Sequence, residues 1–282
     1  MALAQAAIVV QKLGAIDPHL DLAVVVVASR APENAPHPPE PGEHTSALQR
    51  ALARGDIDIA VHSYKDLPTR RPEGLVIAAI PLRDDPRDAF VSRAGMVLRR
   101  LAPGAAIGTS SPRREVQLKA IRPDINVIPI RGNVDSRVSR VEDGELDAIV
   151  VSLAGLKRLG LQDRASEVFS VYELLPAPAQ GALAVECRAA DASIRAILRA
   201  IDDPGARSLV TAERSFLAAL GGDCNLPAGA YAERFGSTLK LHGMLAAGGQ
   251  VYRTKNAGQA DAAVGLGREL AAELLRLAGH SR

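Results

Sequence analysis

Short apolar runs recur along this chain, most of them followed by a turn or a helix start, and they limit it to an α/β fold. They are LDLAVVVV (20–27), IDIAV (57–61), LVIAAI (75–80), NVIPI (126–130), DAIVVSL (147–153) and ALAVEC (182–187). Runs of this length suit buried strands, and helical segments lie between several of them. Alternation of strand and helix predicts a parallel sheet with helices on its faces. Helices are predicted over 2–13, stopped by Gly14, and over Ser46–Arg54, where Leu48 and Leu52 share a face and Gly55 ends the element. From Arg30 to Thr45, Pro32, Pro36, Pro38, Pro39 and Pro41 leave room only for a loop.

What sits at the strand ends points to a ligand. The run IDIAV breaks into His62-Ser63-Tyr64-Lys65-Asp66-Leu67-Pro68, and the proline bars further strand pairing. Open α/β sheets place ligands at the carboxyl ends of their strands, where Lys65 and Asp66 fall; the plainer reading is a surface ion pair. Thr109-Ser110-Ser111-Pro112-Arg113-Arg114 is a helix start with hydroxyls at the cap and proline in the first turn, a natural anion site. The next strand ends in Arg131-Gly132-Asn133, before a helix with Arg137 and Arg140. DAIVVSL leads to a helix with Lys157 and Arg158. A parallel sheet brings these ends to one edge, which predicts a pocket for several carboxylates or phosphates gripped by guanidinium groups.

Leu175–Gly181 is a turn-rich crossing, after which ALAVEC is expected to rejoin the first sheet with Cys187 as a small buried hydrophobe. Beyond Asp202-Asp203-Pro204-Gly205 the chain reads as a helix (206–220), a glycine loop holding Cys224, two or three strands (230–255) and a final helix (260–277). That is a small α+β domain. Cys224 is either a reactive or modified thiol or an ordinary loop cysteine. The net charge is only +2 and aromatics make up 3% with no Trp, which argues against a nucleic-acid binder. Two cysteines build neither a disulfide framework nor a zinc site. No run reaches the roughly 18–20 apolar residues of a membrane span, and the N-terminus lacks the basic start of a signal peptide, so a cytoplasmic protein without membrane contact is expected. Nucleotide, zinc and acyl-serine motifs such as GxGxxG, GxxxxGK[ST], HExxH, CxxC and GxSxG are absent.

The segments AVHSYKDLPT (60–69), DDPRDAFVS (84–92), IGTSSPRR (107–114), RGNVDSR (131–137), DAIVVSLAGLKRLGL (147–161), LPAPAQGALAVECR (175–188) and TAERSFLAAL (211–220) occur in order. With them the chain resembles the hydroxymethylbilane synthase, or porphobilinogen deaminase, family from about residue 56 to 233. The resemblance implies two doubly wound domains shaped like periplasmic binding proteins plus a small C-terminal α+β domain: 1–82 with 182–200, 86–176, and 204–282. It implies a dipyrromethane cofactor joined by a thioether to Cys224, and porphobilinogen as the small-molecule substrate. It further implies that four porphobilinogens are joined head to tail on that cofactor and that the product is released by water. Asp66 falls on the family's catalytic position. Ser63, Lys65, Thr109, Ser110, Ser111, Arg113, Arg114, Arg131, Gly132, Arg137, Arg158 and Gln180 fall on cofactor- and substrate-binding positions. No metal, nucleic acid or membrane is implied, and a monomer is expected.

The departures lie near the N-terminus. The family's first strand and T-R-x-S loop precede the helix in which this sequence begins. Its T-x-G-D segment is replaced by Ala28-Ser29-Arg30-Ala31-Pro32-Glu33, and the cysteine loop reads Gly-Asp-Cys. Two functions stand at this point: a cytoplasmic transferase of haem biosynthesis, or a catalytically weak relative that binds a polycarboxylate through the same arginines.

Overall fold

The computed structural model describes residues 1–27, 43–222 and 226–279. Most of the proline-rich stretch and Cys224 therefore lie outside the described residues. The elements are α1 (Ala2–Ile16), α2 (Glu43–Arg54), β1 (Ala60–Ser63), β2 (Leu75–Ala79), β3 (Asp88–Ser92), β4 (Ala106–Gly108), α3 (Pro112–Ile121), β5 (Asn126–Ile128), α4 (Val134–Glu142), β6 (Ala148–Ser152), α5 (Leu153–Arg158), β7 (Glu167–Val168), β8 (Leu183–Arg188), α6 (Ala192–Arg199), α7 (Pro204–Ala219), β9 (Ala228–Phe235), β10 (Thr238–Ala247), β11 (Gln250–Gln259) and α8 (Ala263–Leu277). The chain folds into two compact units, one of Ala2–Arg83 with Ala182–Arg207, the other of Asp84–Gly181 with the residues from Ser208 onward.

In the first unit β8 is the central strand, flanked by β1 and β2. ALAVEC does rejoin this sheet. Both pairings are antiparallel, however, with Ser63 opposite Leu183 and Val76 opposite Cys187, where the alternation predicted a parallel sheet. β8 arrives from the far end of the second unit's sequence rather than from a crossover helix, so its direction is not tied to that of β1. Val9 and Leu13 of α1 and Leu198 of α6 pack with Val185 and Cys187, while Ala51 and Leu52 of α2 pack with Ala60 and Leu75. Cys187 is fully buried, and burial pushes its thiol pKa up, as suits a packing residue.

Two N-terminal expectations fail. Gly14 does not stop α1, which continues to Ile16. Leu20–Val27 forms no strand, and Val24, Val25 and Val26 are 51%, 58% and 76% exposed. Valine-rich composition favours extended backbone, but a strand exists only where a neighbour accepts and donates the ladder bonds. Among the described residues none does so here.

The second unit holds a five-stranded sheet in the order β5-β4-β6-β3-β7. β4 runs parallel to β5 and β6, whereas β3 is antiparallel to β6 and β7. β6 is buried along all but its last residue, which explains why DAIVVSL reads as an unbroken apolar run. Phe90, Val150 and Leu118 pack on one side, and Ala89, Val91, Ile149, Val138 and Leu156 on the other. In the same unit the antiparallel sheet β11-β10-β9 encloses a separate core with Phe216 of α7 and Leu270 and Leu274 of α8. The fold is mixed α/β with a small C-terminal region of strands and helices.

Candidate active site

Asp66 stands on a turn fixed at both sides. β1 ends at Ser63 and enters a single 3-10 turn, Tyr64–Asp66. Tyr64 and Leu67 are buried, the Tyr64 N–H donates to Ala182 O (3.0 Å), and the Leu67 N–H donates to Tyr64 O (3.3 Å). Lys65 is half-buried beside it. Asp66 itself is exposed and has no hydrogen-bonding or ionic partner among the described residues. The Ser63 hydroxyl accepts from the buried amide of Gln5 on α1. Beneath the strand, Glu186 of β8 lies 3.2 Å from His62 Nε2 and accepts from Gln49 of α2 at 3.2 Å. These buried polar groups satisfy one another and hold β1 in place.

In the other unit the parallel strands β5, β4 and β6 end on one edge, and the sequence beyond each supplies arginine. The Ser110 hydroxyl donates to Ile130 O and accepts from Ile130 N (2.9 Å), tying the end of β4 to the segment after β5. Thr109, buried, accepts from the Ser111 N–H at 3.2 Å, and the Ser111 hydroxyl caps α3. These hydroxyls build the turn that launches Arg113 and Arg114. Both arginines are buried against Asp88 at the start of β3, which has no exposed surface. Arg114 donates to Asp88 Oδ1 (2.7 Å) and Val150 O (3.0 Å). Arg113 Nη2 lies 2.8 Å from Asp88 Oδ2, and its Nη1 donates to Leu175 O (2.6 Å). Among the described residues Asp88 Oδ2 has no hydrogen-bond partner, and it meets Arg113 as an ion pair. The Gln180 amide, also fully buried, donates to Asp88 Oδ1 and Pro86 O at 2.8 Å.

Burial alone would raise the Asp88 pKa, but Arg113 and Arg114 together with bonds from Arg114 and Gln180 hold it well below the usual carboxylate range. Burial pulls the Arg113 pKa down, and Asp88 opposes that pull. Two guanidiniums share one carboxylate (2 − 1 = +1), so the cluster keeps a net positive charge under its surface. Arg158 joins the neighbouring loop, donating to Gly181 O (2.6 Å) with Asp84 Oδ2 3.9 Å from its Nε. Arg131 is exposed with no partner among the described residues, and Arg137 Nε donates to Gly132 O (2.8 Å). Gly132 has φ 100, and a Cβ there would run into Ser136 Oγ.

The structure thus gathers Arg113, Arg114 and Gln180 around Asp88. It ties Arg158, at the end of α5, to the adjacent loop and leaves Arg131 facing solvent. Asp88, Gln5 and Glu213 were not singled out from the sequence. Glu213 of α7 is fully buried and accepts from Ala179 N (2.6 Å) and Ala232 N (2.9 Å). It fixes the crossing loop where Ala179 takes a left-handed φ of 64. The available signal was an acid beside an apolar stretch, as in RDAFV and TAERSFLAAL. Gly181 closes the same loop at φ 87, where a Cβ would strike the Asp84 carbonyl. Gly181→Ala is expected to cost about 1–3 kcal/mol in urea unfolding.

An α/β unit whose adjacent strand ends carry arginines is equipped to bind carboxylates. Residues 1–196 match the family model described as porphobilinogen deaminase, dipyromethane cofactor binding domain, and residues 208–276 match its C-terminal domain. The porphobilinogen deaminase of Nocardia farcinica is 51% identical over 247 residues, covering 84% of this chain and 71% of that protein. That of Roseiflexus castenholzii is 42% identical over 288 residues, covering 100% of this chain and 94% of that protein. Among solved structures, the Bordetella pertussis BvgS VFT2 domain aligns at 17% identity over 70% of this chain and 76% of that one, with a TM-score of 0.41, too loose a likeness to argue from. The chain belongs to the porphobilinogen deaminase family. It is a transferase of tetrapyrrole biosynthesis, a hydroxymethylbilane synthase, and its dipyrromethane-binding region spans residues 1–196.

Proposed function

We propose that Asp66 is the catalytic carboxylate of this chain and that Cys224 carries the dipyrromethane through a thioether, onto which four porphobilinogen units are joined head to tail. The observation that carries this reading is Asp66 itself, exposed and without a partner among the described residues, on a turn pinned by Tyr64 and Leu67. Porphobilinogen loses ammonia and develops positive charge on its pyrrole. A fixed carboxylate beside that charge stabilises it without having to reorganise. The same oxygen accepts or returns the pyrrole proton in the bond-forming step.

The donor set suits the cofactor's chemistry. Each pyrrole unit bears an acetate and a propionate, and the net positive Asp88 cluster together with exposed Arg131 offers complementary charge. Bound dipyrromethane supplies the nucleophilic pyrrole carbon. In this reading Ser63, Lys65, Thr109, Ser110, Ser111, Gly132, Arg137, Arg158 and Gln180 each hold or orient carboxylates. Among the described residues no cluster of His, Cys, Asp or Glu could hold a metal ion, and no helix is long and apolar enough to cross a membrane. The reading also takes the protein as a cytoplasmic monomer of three domains, without nucleic-acid partners; the separate core formed by α7, β9–β11 and α8 supports the third domain.

Intact-mass spectrometry of the purified chain tests it. The expected spectrum shows the mass of two linked pyrrole units on the wild type and none on Cys224→Ser. An unmodified wild type that fails to turn over porphobilinogen would favour the polycarboxylate-binding alternative.

A further inference from the structure

Gln117 lies one turn along α3 from Arg113, is fully buried, and uses both ends of its amide. Its Nε2 donates to Arg113 O and to Leu175 O, each at 3.1 Å. Its Oε1 accepts from Leu175 N (2.8 Å) and from Arg253 Nη2 (2.7 Å). Leu175 O is the carbonyl that also takes Arg113 Nη1 at 2.6 Å. Arg253 reaches in from β11 and donates as well to Tyr172 O (2.6 Å) and Glu173 O (3.2 Å). It has no carboxylate partner among the described residues. Its charge is spent on neutral oxygens around the 172–175 backbone and on one amide.

From this geometry we infer that Gln117 and Arg253 are positioning residues for Arg113: the cation on the C-terminal sheet sets which way the Gln117 amide faces, and the amide holds the Leu175 carbonyl that fixes the Arg113 guanidinium against Asp88. The inference rests on the reading of Arg113 as a group that binds substrate carboxylates. An amide can be turned end for end without changing its shape, so its orientation is unique only where donors are committed to Oε1 and acceptors to Nε2. Both conditions hold here. A guanidinium gains from such preorganisation because less rotamer freedom is lost when it meets the ligand.

The test is a set of steady-state measurements on the full chain. Gln117→Glu keeps acceptors for Arg253 and Leu175 N but removes the donor to Leu175 O. It is expected to raise the KM for porphobilinogen about tenfold, the scale of one hydrogen bond, with a much smaller change in kcat. Arg253→Met is expected to raise KM by about the same factor, and Arg253→Lys, which retains a donor, to recover most of it. Because Arg253 lies at the surface, its variants are expected to keep the fold, checked by urea unfolding, and the measurement stands if the buried Gln117 variant does not. In an Arg113→Lys background the Gln117 and Arg253 substitutions are expected to add less than about twofold, since residues acting through one another are non-additive. Additive effects, or an unchanged KM in both Gln117→Glu and Arg253→Met, would overturn the positioning role alone. An unchanged KM in Arg113→Lys by itself would overturn the substrate role of Arg113 and this inference with it.

Discussion

Replacing Asp66 with Asn is expected to leave the chain folded and to remove most of its turnover. Asp66 is exposed and has no partner among the described residues, so its exchange for an isosteric amide breaks no contact there. Surface changes of that kind stay within about 0.5 kcal/mol. The turn is held by the buried Tyr64 and Leu67, not by the Asp66 side chain. The amide keeps the shape but loses the negative charge that meets the developing cation. Removing one preorganised electrostatic group costs roughly 10²–10³ in kcat. Single-turnover release of ammonia, with urea unfolding in parallel, measures both halves of the claim. A folded Asp66→Asn protein with near-full kcat would remove Asp66 from the mechanism.

The largest expected loss of stability comes from Asp88→Asn. Asp88 is fully buried and is the carboxylate shared by Arg113 and Arg114. Neutralising it strands two buried guanidiniums, and breaking a buried pair by removing one partner costs about 3–5 kcal/mol. The amide still has an oxygen for Arg114 or Gln180, so a loss of about 1 kcal/mol or less in urea unfolding would mean that the cluster is solvated rather than sealed.

The acid limb supplies an independent check. The Asp88 pKa is depressed in the folded state, while an unfolded Asp titrates near about 3.9. A depressed pKa contributes stability that is fully present above the unfolded value and is lost as pH falls toward the folded one. The stability difference between wild type and Asp88→Asn should therefore be constant from neutral pH down to about 5 and shrink below about 4.

Several elements were legible because their cause is local. DAIVVSL and NVIPI are apolar runs beside turn residues, and β6 and β5 form within them. Ser111-Pro112 announces the start of α3, since a hydroxyl cap and proline in the first turn need no distant partner. Leu20–Val27 shows the opposite case. It reads as a strand by composition and is not one, because ladder partners are a property of the assembled sheet. β3 was hidden for a related reason: Asp88 and Pro86 give DDPRDAFVS the look of a connection, and only burial against β6 and β7 makes it a strand.

The site divides along the same line. Arginine beyond three strand ends, and Lys65-Asp66 at the end of another run, could be read residue by residue, because side-chain chemistry and sequence order are enough to say which groups leave a sheet at its carboxyl edge. The family motifs lie at the same level. Which of those arginines face solvent could not be read. Arg113 and Arg114 are neighbours of Asp88 only in space, and Arg131, equally basic in the sequence, keeps no such partner among the described residues. The sequence by itself determined the kind of charge and the strand ends that carry it. Tertiary structure alone decided how much of that charge is already neutralised, because the Coulomb energy of a pair depends on separation and burial, which the order of residues does not contain.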